Sequence, residues 1–319
     1  MEPTFKINDL RDAAAAAGFV ACGVAKADVV DEHHASALHN WTDSGMYGTM
    51  EYMVNNADKR LDPRLLLEGA KSVIAVAMNY YPQRLLDDSR LQFSYYAYGQ
   101  DYHEVVRGRL RQLVRMMCDG SDIQTKEDID RHFKICCDTV PMLERYWAKQ
   151  AGLGWTGKNC NLIIPNIGSY VFLGSIITSL EFDSYDSPVK EQCGQCTQCL
   201  QACPTKALRS PHSIDARRCL SYLTIEHRGP IPEEFHNALG TCIYGCDRCQ
   251  KACPYNRNVR PTDVEELAAS EDFLSMTKDD WAQLTEEEFR RLFRHSAVKR
   301  TKFEGLSRNI EIVLNNISR

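Results

Sequence analysis

Cysteines three residues apart can place several thiolates on one iron-sulfur cluster, and this sequence contains two such runs. The first is Cys193-Gly-Gln-Cys196-Thr-Gln-Cys199-Leu-Gln-Ala-Cys203-Pro204. Three thiols at three-residue steps, a fourth four residues on and then proline make the bacterial-ferredoxin arrangement, in which the fourth thiolate reaches across to another cluster. A partial copy follows as Cys246-Asp-Arg-Cys249-Gln-Lys-Ala-Cys253-Pro254. The two runs can exchange their fourth ligands, and two 4Fe-4S clusters are predicted.

Two such clusters need eight thiolates, and the runs supply seven. The position in the second copy that matches Cys193 is Ile243. Two cysteines could fill the gap: Cys242, one residue out of register, and Cys219, between the runs beside a helix-like segment. Cys219 is preferred. The expected sets are Cys193, Cys196, Cys199 and Cys253 for one cluster, and Cys203, Cys219, Cys246 and Cys249 for the other. Zinc sites favour separated Cys-x-x-Cys pairs, and disulfide scaffolds suit small secreted chains.

The elements that must position these thiols can be read from composition and pattern. A chain of 319 residues that is 44% hydrophobic is long enough for two or three domains at roughly 150 residues each. No stretch approaches the ~20 apolar residues of a membrane helix, and the start, Met1-Glu-Pro-Thr-Phe-Lys-Ile, has neither an apolar signal core nor a twin arginine. Fourteen cysteines without an export signal point to a reducing cytoplasm and no membrane association. A net charge of -5 provides no global attraction to nucleic acid, so any such contact needs a local basic face.

Helices are expected at 8–17, 33–45 and 104–117, with strands at 19–24, 71–78, 133–137 and 170–177. Lys71-Ser-Val-Ile-Ala-Val-Ala-Met78 is a continuous apolar run, as for a strand buried on both faces. This alternation implies an α/β layer domain to about residue 180. His33, His34 and His39 lack acidic or cysteine partners at ligand spacing and read as a solvated face. The charged stretch around Arg60 reads as a surface loop. Asp138, ahead of Pro141 and the apolar-periodic Met142 to Gln150, reads as a helix cap. Thr285-Glu-Glu-Glu288 is a capping pattern opening an amphipathic helix within 278–294. Beyond it, Lys299, Arg300, Lys302 and Arg308 continue a concentration of positive charge suited to a polyanion.

Several longer stretches carry a resemblance. Asp138-Thr-Val-Pro-Met-Leu-Glu144-Arg145, Ala151-Gly-Leu-Gly-Trp155-Thr-Gly-Lys158-Asn159, Gly168-Ser169-Tyr-Val-Phe-Leu-Gly174, both cysteine runs and Cys219-Leu-Ser221-Tyr-Leu-Thr-Ile-Glu226 resemble the epoxyqueuosine reductases, cobalamin-dependent iron-sulfur enzymes of queuosine tRNA modification. The likeness extends to Arg300-Thr-Lys-Phe-Glu-Gly305-Leu-Ser-Arg308-Asn309. Two departures stand out: Cys160 occupies a position where threonine or a similar residue is expected, and many relatives carry further helical repeats.

The resemblance implies an α+β fold. Residues 1–180 would form a nitroreductase-like cobalamin-binding catalytic domain, 181–260 a ferredoxin-like domain with both clusters, and 261–319 a helical segment contacting tRNA. It implies reduction of epoxyqueuosine to queuosine at the wobble position, with electrons from an external flavodoxin- or ferredoxin-type donor relayed through the clusters to cobalamin in a monomeric enzyme. Asp138 then becomes a proton donor in place of a cap, provided burial beside the corrin raises its pKa. Arg60, Asp138, Lys158, Ser169, Ser221, Gly245, Cys246 and Asp247 would line the corrin pocket, and Arg228, Lys299, Arg300 and Lys302 would contact RNA. The competing readings are a reductive dehalogenase-like cobalamin enzyme, disfavoured by the missing leader and the basic tail, and a ferredoxin-type carrier. A carrier leaves unexplained the long chain before Cys193.

Overall fold

Eight residues, Ser72–Asn79, form the central strand because both of their faces are apolar. In this computed structural model, which describes residues 5–317, Ile74, Val76 and Met78 enter one apolar cluster while Val73, Ala75 and Ala77 enter another. The two-residue period of a strand makes that division. Helices Ile7–Ala16 and Tyr102–Cys118 cover the first face through Leu10, Ala14, Val106, Leu110 and Leu113. Helix Glu144–Gln150 covers the second through Trp147 and Ala148.

The sheet has four strands: β1 (Ala21–Lys26), β2 (Ser72–Asn79), β3 (Phe133–Cys136) and β4 (Val171–Thr178), in spatial order β1-β2-β4-β3. Every neighbouring pair is antiparallel, with Ala21 opposite Ala77, Ser72 opposite Thr178 and Phe133 opposite Thr178. Helices on both faces give the layering expected of an α/β domain, but this sheet contains no parallel pair. Apolar runs report burial on two faces, which helices impose on either strand direction.

The cluster-bearing segment is joined to this layer by main-chain pairing. Gln92–Phe93 runs parallel to Cys242–Tyr244, and the N–H of Ser94 donates to Tyr244 O at 2.8 Å. An aromatic layer of Tyr80, Tyr81, Tyr95, Tyr96, Tyr170, Phe172 and Tyr244 fills the space between them. Tyr102 stacks on Phe172 with an interplanar angle of 5°.

The helix expected within 278–294 opens at Thr285 with the Glu288 capping box and runs Glu286–Leu292, and a separate short helix, Lys278–Ala282, precedes it with a capping box of its own. The final helix, Lys302–Ile317, locks onto the cluster segment through Asn309. That side chain is fully buried and donates to Thr224 O at 2.9 Å and Ile243 O at 2.8 Å. Replacing Asn309 with leucine strips the side-chain donor from Ile243 O, at about 1–3 kcal/mol before any relaxation, while Thr224 O keeps the Thr301 hydroxyl at 3.0 Å. The expected result is a thermal-unfolding midpoint lowered by several degrees in the cluster-loaded protein; an unchanged midpoint would contradict this account.

Candidate cluster and active site

Each cysteine run folds the same way because each ends in a short helix followed by proline. Gln198–Gln201 carries Cys199 and releases Cys203, while Arg248–Lys251 carries Cys249 and releases Cys253. Cys193, Cys196, Cys199 and Cys253 line one cavity, together with Lys158, Asn159, Ile163 and Tyr255. Burial raises the Cys253 thiol, and the neighbouring Cys193, Cys199 and Cys196 raise it further, as expected of thiols crowded round one space.

The second set comes together from three separate segments. Cys249 is pushed well up by burial, then by Cys219, Cys246 and Cys203. Cys242 bears on Cys246, whereas Cys219 bears on both Cys246 and Cys249. Cys219 stands at the N-terminus of helix Leu220–Ile225, where burial raises its thiol and the N–H groups of Tyr222 and Ser221 oppose that rise. Thiolate is the donor that 4Fe-4S clusters take. Two further donors aim at sulfur: Trp155 Nε1 lies 3.4 Å from Cys193 Sγ, and Ala207 N lies 3.2 Å from Cys203 Sγ. Hydrogen bonds of this kind tune a cluster's potential.

Asp138 lies two residues beyond the end of β3 in the left-handed region, with φ of 57°. The expectation that it caps a helix is overturned: the helix starts at Glu144, its cap position is Leu143, and the Asp138 N–H donates to Glu144 Oε1 at 3.0 Å. Glu144 is the acceptor here and Asp138 the group being oriented. The Asp138 carboxylate, with its side chain 58% exposed, accepts from Tyr102 Oη and from His103 Nε2, both at 3.0 Å.

Burial tends to raise the Asp138 carboxyl, but His103, Tyr102 and Arg145 outweigh it and hold its pKa below the usual value. This reverses the expectation that burial would leave the proton on Asp138. His103 moves the opposite way: burial opposes its charge, yet Asp101 and Asp138 lift its pKa to about 9. Glu144 is likewise raised, to about 7, by burial and by the adjacent Asp138. Neither Asp101, His103 nor Glu144 was identified from sequence. The stretch Asp101-Tyr102-His103 carries a visible cap signal, and Asp101 does cap helix Tyr102–Cys118, but its spacing cannot reveal a partner 35 residues away.

The remaining predicted residues fall into several places. Arg60, expected on a surface loop, is only 7% exposed and donates through Nη2 to Tyr52 O, while its Nε has no hydrogen-bond partner. Its charge is felt at Tyr52, which also feels Glu226, Asp138 and Arg300, so these groups surround one region. Lys158 Nζ donates to Gly194 O and Cys196 O and thus braces the first cysteine loop. Ser169 Oγ accepts from Asn256 and Gln250. Ser221 lies in helix Leu220–Ile225, whose Thr224 hydroxyl accepts from the Gly245 N–H at 2.9 Å. Gly245 has φ of 73°, and a Cβ there would collide with the Ser94 side chain. Asp247 is buried and accepts from Tyr95 N at 2.7 Å.

Of the predicted RNA contacts, Arg228 donates to Ile225 O and Arg300 O, Lys299 pairs with Asp101 at 2.9 Å, and Arg300 forms a bidentate pair with Glu226. Lys302 is exposed. His34 pairs with its own helix cap, Asp31. No helix among the described residues is long and apolar enough to cross a membrane.

Thiols gathered beside a layered α+β domain point to the iron-sulfur oxidoreductases, and residues 192–256 match the 4Fe-4S double cluster binding domain. Residues 60–139 match the model for Epoxyqueuosine reductase QueG. The chain is 43% identical over 296 residues to an epoxyqueuosine reductase of Cellulophaga algicola, covering 93% of this chain and 94% of that one. It is 43% identical over 305 residues to the Leadbetterella byssophila enzyme, covering 96% and 97%. The chain belongs to the epoxyqueuosine reductase family.

Solved structures agree. An epoxyqueuosine reductase crystallised with an epoxyqueuosine-modified tRNA-Tyr stem loop superposes with a TM-score of 0.86 at 31% identity, over 97% of this chain and 80% of that one. The Streptococcus thermophilus enzyme gives 0.87 at 30%, over 98% and 81%.

The quartets lead to a direct measurement. Reconstituted protein should hold about eight irons per chain. Cys219→Ser should lose about four of them and Cys242→Ser none, as read by iron analysis and visible absorption. The reverse pattern would move the eighth ligand to Cys242.

Proposed function

We propose that this chain reduces epoxyqueuosine to queuosine at the wobble position of tRNA, with Asp138 delivering protons to the departing oxygen. The observation that carries this reading is the placement of Asp138: an exposed carboxylate on a left-handed turn, held by His103, Tyr102 and the Glu144 contact, in a region also framed by Arg60 and Arg300. Family membership and the relative crystallised with a modified stem loop support the substrate.

Epoxide deoxygenation consumes two electrons and two protons. Bound cobalamin would supply the electron transfer to the epoxide, chemistry outside the reach of side chains. The residues present fit such a group: Arg60 is a buried cation with an unpartnered Nε, and the Gly245 N–H, bonded to Thr224 Oγ1, ties the loop before Cys246 to the helix that carries Ser221. Cys203, Cys219, Cys246 and Cys249 would hold the inner cluster, since Gly245 and Asp247 beside them are buried. Cys193, Cys196, Cys199 and Cys253 would hold the outer one, because Gln192, Gly194, Gln195 and Thr197 are exposed and an external donor can approach there. Lys158 would fix the outer loop through its two carbonyl contacts.

Negative charge growing on the epoxide oxygen needs an acid within hydrogen-bond reach, and Asp138 meets that need. Residues 1–180 would form the catalytic, nitroreductase-like unit, 181–260 the cluster unit and 261–319 the RNA-facing segment of a cytoplasmic monomer. Arg300 pairs with Glu226 and Arg228 donates to Arg300 O, and these two with Lys299 and the exposed Lys302 would flank the RNA.

The decisive experiment is anaerobic incubation of the reduced, loaded protein with epoxyqueuosine-containing tRNA, followed by nucleoside mass analysis. Conversion to queuosine is expected. Asp138→Asn, with both clusters and cobalamin retained, should reduce turnover by a factor of roughly 10²–10⁴; full turnover by that variant would remove Asp138 from the chemistry. Arg60→Met should weaken cobalamin retention, measured by corrin absorption after gel filtration.

A further inference from the structure

Asp138 is held ionised in this structure, so the proton it is proposed to deliver must be kept elsewhere. His103 Nε2 is 3.0 Å from Asp138 Oδ2, and His103 Nδ1 is 2.7 Å from Asp101 Oδ1. Both ring nitrogens therefore face carboxylates, an arrangement that requires an N–H at each and so selects the imidazolium. Asp101 is almost buried, with its side chain 8% exposed, and its other oxygen is 2.9 Å from Lys299 Nζ. Four side chains thus form a line, Lys299 to Asp101 to His103 to Asp138, running from the basic C-terminal segment to the candidate active site.

We infer that His103 is the proton store for Asp138 and that Asp101 and Lys299 set its charge state. The inference rests on the reading of Asp138 as proton donor and adds the source of the proton. In the step, the His103 Nε2–H bond breaks as an O–H bond forms on Asp138; that O–H then breaks as the substrate oxygen takes the proton. His103 becomes neutral and regains a proton from water. Two passes supply the two protons with which the oxygen leaves as water, while both electrons come from the reduced cofactor. Asp101 and Lys299 touch neither substrate nor reacting atoms and are positioning residues.

Other charges face this line. Arg107 donates to Thr139 Oγ1 beside the turn, and Glu144 and Arg145 come from the following helix. Tyr102 shares Asp138, Cys137 lies under it, and Tyr52, Arg60 and Arg300 lie across the region. They remain in place in each variant below, so differences between variants report the line itself. Asp101 raises the His103 pKa, and removing its charge must lower it. Lys299 neutralises part of that charge, and removing it must act in the opposite direction.

The test is single-turnover conversion of a saturating epoxyqueuosine stem loop by cluster- and cobalamin-loaded protein under excess chemical reductant, followed across pH. Wild type should lose rate as pH rises through about 9. His103→Gln should be slowed by roughly 10–100-fold near neutral pH and lose that limb. Asp101→Asn should move the limb to lower pH and Lys299→Met to higher pH, with Lys299→Arg restoring it. Nitrogen-15 histidine spectra of the cluster-loaded chain, without cobalamin or RNA, should show the same two displacements of one ring's titration. An inactive Asp138→Asn alongside a fully active His103→Gln with an unmoved limb would overturn this inference alone. Full activity of Asp138→Asn would overturn the proton-donor reading beneath it. A Lys299→Met variant that changes only stem-loop affinity would make Lys299 a plain RNA contact and remove it from the line.

Discussion

The hydrogen bond from Tyr95 N to the buried Asp247 carboxylate is the constraint on which the joining of cluster segment and sheet domain depends. Burial pushes the Asp247 carboxyl up, while the Tyr95 N–H, Ser94 and Lys251 oppose that rise. A carboxyl taken out of water must be satisfied by fixed donors. Its donors come from the aromatic layer, and its neighbours in sequence are Cys246 and Arg248. The same few residues that satisfy one buried acid therefore fix the inner thiols relative to β2 and β4. The parallel pairing of Gln92–Phe93 with Cys242–Tyr244 makes the join directional, because a one-residue slip would turn Phe93 away from Tyr244, Phe273 and Trp281.

From this join the rest of the site inherits its geometry. Tyr96 donates to Tyr244 Oη at 3.1 Å and meets Tyr102 edge-on, and Tyr102 donates to Asp138. Asp138 is thus tied through aromatic contacts to the strand that precedes Cys246. The left-handed turn at Asp138 carries a cost of order 1–3 kcal/mol, and the Glu144 acceptor, with the Tyr102 and His103 donors, offsets it. A residue held this way is positioned by several distant elements. That suits an acid that must meet a developing charge at a fixed point.

This distinction explains what could be read from the chain. Thiols that share one metal group are spaced by its reach, so three- and four-residue intervals mark the candidates in the sequence, and Cys219 alone is a candidate from outside a run. Strand Ser72–Asn79 was legible because burial on two faces leaves an unbroken apolar run; its direction was not, because the same run serves either sense. Asp138 was misread locally because Pro141 and a periodic segment follow any loop that enters a helix, and the start at Glu144 depends on what Glu144 accepts from. The family resemblance identified Asp138 as important. His103 and Glu144 needed distances that no local pattern encodes.

Counting charges sees residues and not their partners. The final segment was read as a basic face, yet much of its positive charge is used within the protein. Arg308 donates to Leu223 O, His227 O and Gly229 O at the end of helix Leu220–Ile225, where exposed carbonyls and the helix dipole favour a cation. Arg300 is committed to Glu226, Lys299 to Asp101, and Arg291 to Asp272. A cation already paired in this way contributes little to the field that a polyanion feels at a distance, since its partner cancels most of it. It can still act at contact, by exchanging a carboxylate for a phosphate. On the proposed reading, RNA approaching this segment would meet paired charges, and exchange of Asp101 for a phosphate at Lys299 would change the charge beside His103.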